Sequence, residues 1–185
     1  PSADAIWQAL NDIIAGRDFS IQVRDDRLTL RVAKAPQVYL SGYLGDEAVQ
    51  RIRVMLQSAR IPRGADVYLD STAGDLPAGL ALGRMFRAAA LTTHVGLWRK
   101  PSRVPTPARP AVCLDACAYA YLGGLYRWAP SGLDRIGVHQ ALLPAPPGQV
   151  ESTTLLEYLL AMDVRPTYLA QVLGPAEGSV VWWRA

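Results

Sequence analysis

Short apolar runs alternate with amphipathic stretches along much of the chain. Apolar runs at 37–42, 65–71 and 91–98 have the length and residue types of β-strands. Helical periodicity follows the first two runs, over 46–60 and 76–90. Strand, helix, strand, helix and strand in this order is typical of parallel βαβ units, so the pattern predicts an α/β fold.

The pattern also predicts elements on both sides of this central part. Residues 19–23 and 27–32 flank the pair Asp25-Asp26 and predict a β-hairpin. After the third strand, the chain is expected to form a strand at 111–113, a helix at 115–128, a strand at 134–140, helices at 152–162 and 166–173, and a strand at 179–183. We find neither an internal repeat nor a linker, so one domain spanning 1–185 is expected.

Composition excludes several classes of protein. Half of the 185 residues are hydrophobic and 19% are charged, which is typical of a globular protein. No apolar run approaches the roughly 20 residues that span a bilayer, so no transmembrane segment is expected. The net charge of +3 is modest and the basic residues are scattered, which argues against nucleic-acid binding. Two cysteines are too few for a four-ligand zinc site, and we expect neither a metal nor a cofactor.

One segment interrupts the alternation of strands and helices. Residues 99–111 contain four prolines and four basic residues, a composition that excludes a helix or a central strand. A solvated surface loop accounts for this composition. The alternative is a lid or a docking loop for an acidic partner, because the segment leads into the part of the chain where candidate chemistry is concentrated.

Three segments carry the candidate chemistry. The turn at 71–74, Ser-Thr-Ala-Gly, leads into a predicted helix, and main-chain N–H groups at such a junction bind anions. Asp115 lies at the predicted start of the next helix, whose small residues predict that another backbone approaches it closely. His139 follows Asp115 by 24 positions on a predicted strand. The other histidine, His94, has no evident partner and is interpreted as structural.

In order and spacing, these segments resemble the Clp-type serine peptidases of the Clp-protease/crotonase superfamily, in particular their bacterial periplasmic relatives. The resemblance covers roughly 37–140 and includes a Gly-Gly-x-x-Arg sequence after the small-residue helix. It implies stacked βαβ units with C-terminal helices. It also implies an oxyanion hole involving Gly74 and Ala73, and a catalytic histidine at His139. Where the family has its serine nucleophile, this chain has Asp115.

Aspartate at the serine position implies that the usual acyl-enzyme chemistry is lost, because a carboxylate has no hydroxyl proton to transfer. The resemblance therefore indicates an exported pseudo-peptidase that acts as a protein-binding or regulatory module, and it is compatible with a homo-oligomer. Three alternatives remain. Asp115 could simply cap a helix. Asp115 and His139 could serve an active crotonase or hydrolase-type enzyme on an acyl or peptide substrate. A hydrolase could instead use Ser71 or Ser41.

Two further questions concern the surroundings of this position. Cys113 and Cys117 either form a disulfide at the strand-to-helix bend or remain buried thiols; a bridge would rigidify the bend and support a periplasmic or otherwise exported location. Asp134, Glu151 and Asp163 are candidate third members of a triad, and nothing in the sequence selects one of them.

Overall fold

The computed structural model describes residues 18–98, 109–139, 152–173 and 180–183. The strands are β1 (Ser20–Arg24), β2 (Gln37–Ser41), β3 (Asp66–Asp70), β4 (Thr92–Val95), β5 (Val112–Leu114), β6 (Tyr126–Arg127), β7 (Arg135–His139) and β8 (Val180–Trp182). The helices are α1 (Arg27–Ala33), α2 (Asp46–Gln57), α3 (Leu76–Ala88), α4 (Ala116–Leu122), α5 (Ser152–Ala161) and α6 (Pro166–Leu173).

The strands form two mixed sheets. In the larger sheet the order is β1-β2-β3-β4-β6; β1 is antiparallel to β2, and the other pairs are parallel. In the smaller sheet β5 pairs in parallel with β7, and β8 is antiparallel to β7. An isolated bridge between Ser71 and Cys113 connects the two sheets. The parallel β2–α2–β3–α3–β4 arrangement confirms the predicted α/β class.

The predicted N-terminal hairpin is wrong, because residues 27–33 form α1. The side chain of Asp26 accepts hydrogen bonds from the main-chain N–H groups of Leu28 and Thr29, each at 3.0 Å, and from the Thr29 hydroxyl at 2.6 Å. These bonds satisfy donors that the start of a helix leaves unpaired. Local capping therefore overrides the alternating apolar pattern of this segment, and β1 pairs with β2 instead.

The small-residue helix is shorter than predicted. It ends at Leu122, and β6 begins at Tyr126, where the prediction had extended the helix to 128. A Cβ atom on Gly124 would lie 2.7 Å from the carbonyl oxygen of Tyr126 and 2.9 Å from Thr93 Cγ2. Only glycine fits where the chain turns sharply to run beside β4.

One face of the larger sheet is buried beneath α2, α3 and α4. Side chains of β2, β3 and β4 on this face are fully buried: Val38, Leu40, Val67, Leu69 and Thr93. Helices α3 and α4 approach so closely that a Cβ atom on Gly79 would lie 2.7 Å from Ala116 Cα. The predicted close backbone approach to the small-residue helix is thereby confirmed. None of the helices in the described ranges has the length and apolar character needed to cross a membrane.

The opposite face of the larger sheet carries a row of stacked rings. Tyr39 stacks on Tyr68 with ring centroids 4.6 Å apart, and Tyr68 stacks on His94 at 4.4 Å. His94 Nε2 lies 2.9 Å from a carboxylate oxygen of Asp66, a partner that the sequence did not reveal. Burial, followed by the charge of Asp66, raises the pKa of Tyr68 to about 12. The structural interpretation of His94 agrees with these contacts.

Candidate functional site

A strained junction connects β5 to α4. Asp115, the residue between them, has φ of 51° and ψ of −110°, a combination that non-glycine residues rarely adopt and that costs about 1–3 kcal/mol. Main-chain hydrogen bonds hold it on both sides. Its N–H donates to Gly137 O on β7 at 3.1 Å, and its carbonyl accepts from Tyr119 N in the first turn of α4 at 2.9 Å. The conformation is thus imposed by the strand and the helix that meet here.

Both carboxylate oxygens of Asp115 contact His139. Oδ1 accepts the main-chain N–H of His139 at 2.7 Å, and Oδ2 lies 2.7 Å from the imidazole Nδ1. A carboxylate accepts hydrogen bonds, so Nδ1 carries the proton. The side chains are 38% and 49% exposed, respectively, and therefore reach solvent. Nε2 of His139 has no hydrogen-bond partner among the described residues.

This pairing argues against the helix-capping interpretation of Asp115. The residue occupies the position before α4, yet its side chain accepts no hydrogen bond from the N–H groups of that helix. Its two oxygens are directed across the sheet to β7 instead. The sequence placed Asp115 and His139 at one site, and the structure brings them into direct contact.

A disulfide bond between Cys113 and Cys117 brackets the strained residue. The Cα atoms of the two cysteines are 5.1 Å apart, and both side chains are fully buried. The two possibilities that the sequence left open are therefore decided in favour of the bridge. The covalent link joins the end of β5 to the first turn of α4 and limits how far Asp115 can relax.

The glycine turn lies beside the same junction. A Cβ atom on Gly74 would lie 3.1 Å from Ala116 Cβ and 2.6 Å from Leu44 O, so the turn packs against the residue that follows Asp115. Ala73 O accepts from Leu44 N at 3.0 Å, and Ala73 N lies 3.4 Å from Ser71 Oγ. Since the main-chain groups of Ala73 have these partners, Gly74 is the better candidate for anion binding. An oxyanion role of these two residues stays a prediction.

The serine alternatives receive little support from the contacts. Ser71 is buried, and its hydroxyl lies 2.5 Å from Gly42 O and 2.9 Å from Ala73 O, where it stabilises the turn. Ser41 lies at the end of β2 and lines a separate cavity of about 170 Å³. Neither serine contacts His139 in the part of the chain that the structure describes.

A buried ion pair that the sequence analysis missed positions β5. The carboxylate of Asp70, which is 1% exposed, forms two hydrogen bonds with the Arg109 guanidinium and accepts Val112 N at 3.0 Å. It thereby holds the start of β5 against the end of β3. The available signals were an aspartate that ends a strand and an arginine that directly precedes one. Arg109 had been assigned to the solvated loop at 99–111; residues 99–108 of that loop lie outside the described residues.

Of the three candidate third members of a triad, the two that the structure describes do not contact His139. Asp134 accepts the main-chain N–H of Ala111 at 2.7 Å, and Asp163 forms an ion pair with Arg87 at 3.2 Å. Glu151 lies outside the described residues. Among the described residues, the carboxylate that contacts the His139 imidazole is Asp115.

The interior side of the junction is apolar. Burial raises the pKa of the Tyr119 hydroxyl, and the negative charge of Asp115 adds to the rise. The described ranges contain no group of three or more His, Cys, Asp or Glu side chains that could hold a metal ion. The site thus consists of one carboxylate and one imidazole at the surface, above a disulfide and a tightly packed helix.

Comparison with models of known protein families gives no match, and neither does comparison with curated protein sequences.

Proposed function

We propose that this chain is an exported, catalytically inactive relative of the Clp-type peptidases that acts as a protein-binding or regulatory module. The observation that carries the proposal is the engagement of both Asp115 oxygens by His139. A serine peptidase begins its reaction by passing a hydroxyl proton from the nucleophile to an imidazole. The carboxylate offers no such hydroxyl, and its oxygens are already occupied.

Electrostatics give a second reason for inactivity. If an oxyanion formed next to Gly74, it would lie near the negative charge of Asp115, because Gly74 packs against Ala116. Two like charges repel each other, and the repulsion grows as the distance between them shrinks. The substitution thus opposes both the nucleophilic step and the stabilisation of its product.

The proposed location is the periplasm or another oxidising compartment. The disulfide between Cys113 and Cys117 supports this proposal, because such bonds persist where thiols are not kept reduced.

Exposed apolar side chains support a role in protein binding. Four large apolar residues between α4 and β7 are 43–75% exposed: Leu125, Tyr126, Trp128 and Leu133. The four residues lie within nine positions of one another, and exposed apolar side chains that form a patch are typical of surfaces that contact another protein. A partner protein or a second copy of the chain would satisfy them.

A paired labelling experiment tests the proposal. The unaltered protein and its Asp115→Ser variant are treated with a fluorophosphonate probe and assayed with casein and an acyl ester. We expect no labelling and no turnover by the unaltered protein, and labelling of the serine variant. The serine hydroxyl must reach an imidazole nitrogen, so the double variant Asp115→Ser/His139→Ala should lose the labelling again.

Each outcome has a definite meaning. Turnover by the unaltered protein would overturn the assignment of inactivity. A serine variant that folds normally and remains unlabelled would contradict the Clp-peptidase-like nature of the site. The matched variant Asp115→Ala, which has neither carboxylate nor hydroxyl, shows whether any labelling depends on the new hydroxyl.

A second candidate function follows from the hydrogen bonds of the His139 ring. A carboxylate at Nδ1, with Nε2 left without a hydrogen-bond partner among the described residues, is the arrangement that prepares a histidine to act as a general base. In this alternative, Nε2 takes a proton from water, the hydroxide attacks an acyl carbonyl, and the proton passes to the leaving group. Hydrolysis of an acyl ester that is abolished by His139→Gln and reduced by Asp115→Asn would favour this candidate over the inactive module.

A further inference from the structure

An apolar groove lies between the C-terminal ends of α2 and α3, away from Asp115 and His139. Its volume is about 510 Å³. The floor consists of apolar side chains from both helices and the loop after α2: Leu56, Ile61, Pro62, Met85, Ala88 and Ala89. Of these, Ile61 is buried and anchors the loop, while Ala88 and the edges of the others remain accessible. The groove could therefore accept several apolar side chains from outside.

The rim of this groove is basic. Arg53 and Arg63 line it, and Arg60 is exposed in the loop between them. The stretches 53–64 and 84–90 contain five arginines and no aspartate or glutamate. Of these arginines, Arg87 has a carboxylate partner, namely Asp163. The three rim arginines form no salt bridge within the described ranges.

The positive charge of the rim exceeds the partial negative charge at the ends of the two helices. Arg53 donates to the side-chain oxygen of Gln50 at 2.9 Å, and Arg63 donates to Ala88 O at the end of α3 at 2.8 Å. The C-terminal ends of α2 and α3 contribute about half a negative charge each. Three guanidinium groups outweigh this contribution, so the rim attracts anions while the floor offers apolar contact.

We propose that this groove binds an acidic amphipathic helix of a partner protein. Apolar side chains on one face of such a helix would fill the groove, and carboxylates at its edges would pair with Arg53, Arg60 and Arg63. Charge complementarity favours this occupant, because a basic helix or a second copy of this groove would meet like charges. The inference concerns a surface separate from the Asp115–His139 site and does not depend on its inactivity.

Fluorescence anisotropy with the full chain tests this inference. The probe is a fluorescein-labelled helical peptide of about 18 residues, or five turns, with leucines spaced along one face and glutamates elsewhere. The comparison peptide has lysine in place of each glutamate. We expect saturable binding of the acidic peptide that weakens as salt is added, and no binding of the basic peptide.

Two variants locate the binding. We expect the Kd of the acidic peptide to rise by at least about tenfold in Arg53→Glu/Arg63→Glu and, separately, in Met85→Glu. The matched control is Arg27→Glu/Arg31→Glu, which changes the net charge equally but lies on α1. This control should leave the affinity within about twofold of the unaltered protein. Circular dichroism and thermal unfolding establish that each variant is folded.

Three results would overturn the inference. The first is the absence of saturable binding to the acidic peptide. The second is equal weakening by the α1 control, which would mean that binding follows net charge. The third is binding to phosphatidylglycerol vesicles that the groove variants abolish, without binding of the peptide, which would make the groove a lipid-binding surface. All of these variants retain Asp115 and His139. The fluorophosphonate experiment therefore tests the proposed function independently of whether the groove binds the acidic peptide.

Discussion

Asp115 holds His139 at two points, with one carboxylate oxygen on the main-chain N–H and the other on the imidazole Nδ1, each at 2.7 Å. In the serine peptidases that the surrounding segments resemble, the residue at this position attacks a substrate. Here the carboxylate instead orients the histidine, because it holds both the main-chain N–H and the Nδ1 side of the ring. The roles of the two residues therefore differ from those in a serine peptidase.

The tautomer of His139 should depend on Asp115. In the unaltered protein we expect the proton on Nδ1. In Asp115→Asn the amide has one acceptor and one donor, so if its oxygen keeps the main-chain N–H, its nitrogen donates to Nδ1 and the proton moves to Nε2. Asparagine has nearly the same size as aspartate, so the substitution changes the hydrogen-bonding groups and little else.

Long-range ¹⁵N–¹H correlation spectra at mildly alkaline pH measure this change. The chain has two histidines, and His94, whose Nε2 contacts Asp66, serves as an internal control that should not change. An Nε2–H tautomer of His139 in the unaltered protein would contradict the hydrogen bond on which the site depends.

Removing the disulfide should lower the free energy of unfolding. The bridge spans four positions, and the chain-entropy relation for so small a loop gives about 2 kcal/mol. The double variant Cys113→Ala/Cys117→Ala should therefore unfold at lower urea concentration with an unchanged slope. Thiol titration of the unaltered protein in denaturant should detect no free thiol; two reactive thiols would show that the bond is absent.

Removing Arg109 should destabilise the protein more than removing an exposed arginine. Arg109→Met leaves the buried Asp70 carboxylate without its charge partner, which costs about 3–5 kcal/mol. Adding Asp70→Asn should recover part of this loss, because the amide is neutral. The control Arg31→Met lies on the exposed side of α1 and should change stability by less than about 0.5 kcal/mol. Equal effects of the two arginine variants would mean that the ion pair does not hold β5.

Tyr68 should make stability sensitive to alkaline pH. Burial raises its pKa to about 12 in the folded protein, above the ordinary value of 10.0. Below pH 10 the hydroxyl is protonated in both states, and this difference contributes nothing. Between pH 10 and 12 the unfolded chain ionises first, so the free energy of unfolding falls as pH rises. Urea denaturation across this range should show a shallower fall in Tyr68→Phe, and identical pH profiles would refute the assignment.

The sequence by itself determined the α/β class and the order of β2, α2, β3, α3 and β4. It did so because apolar periodicity is a local property that reports which side of each element is buried. The small side chains after Asp115 predicted a close helix approach, which Gly79 and Ala116 confirm. Spacing and resemblance placed Asp115 and His139 at one site before any contact was known.

The tertiary structure decided which atoms of Asp115 and His139 contact each other. Residues 27–33 form a helix because the Asp26 side chain caps its start. Asp26 is visible in the sequence, but the alternating apolar pattern of the segment led to the prediction of a strand. The Asp70–Arg109 pair and the choice of Nδ1 as the contact of Asp115 depend on how distant segments meet. The disulfide depends on the angle of the bend between β5 and α4. Such contacts depend on distances and angles between side chains, which periodicity and residue type leave undetermined.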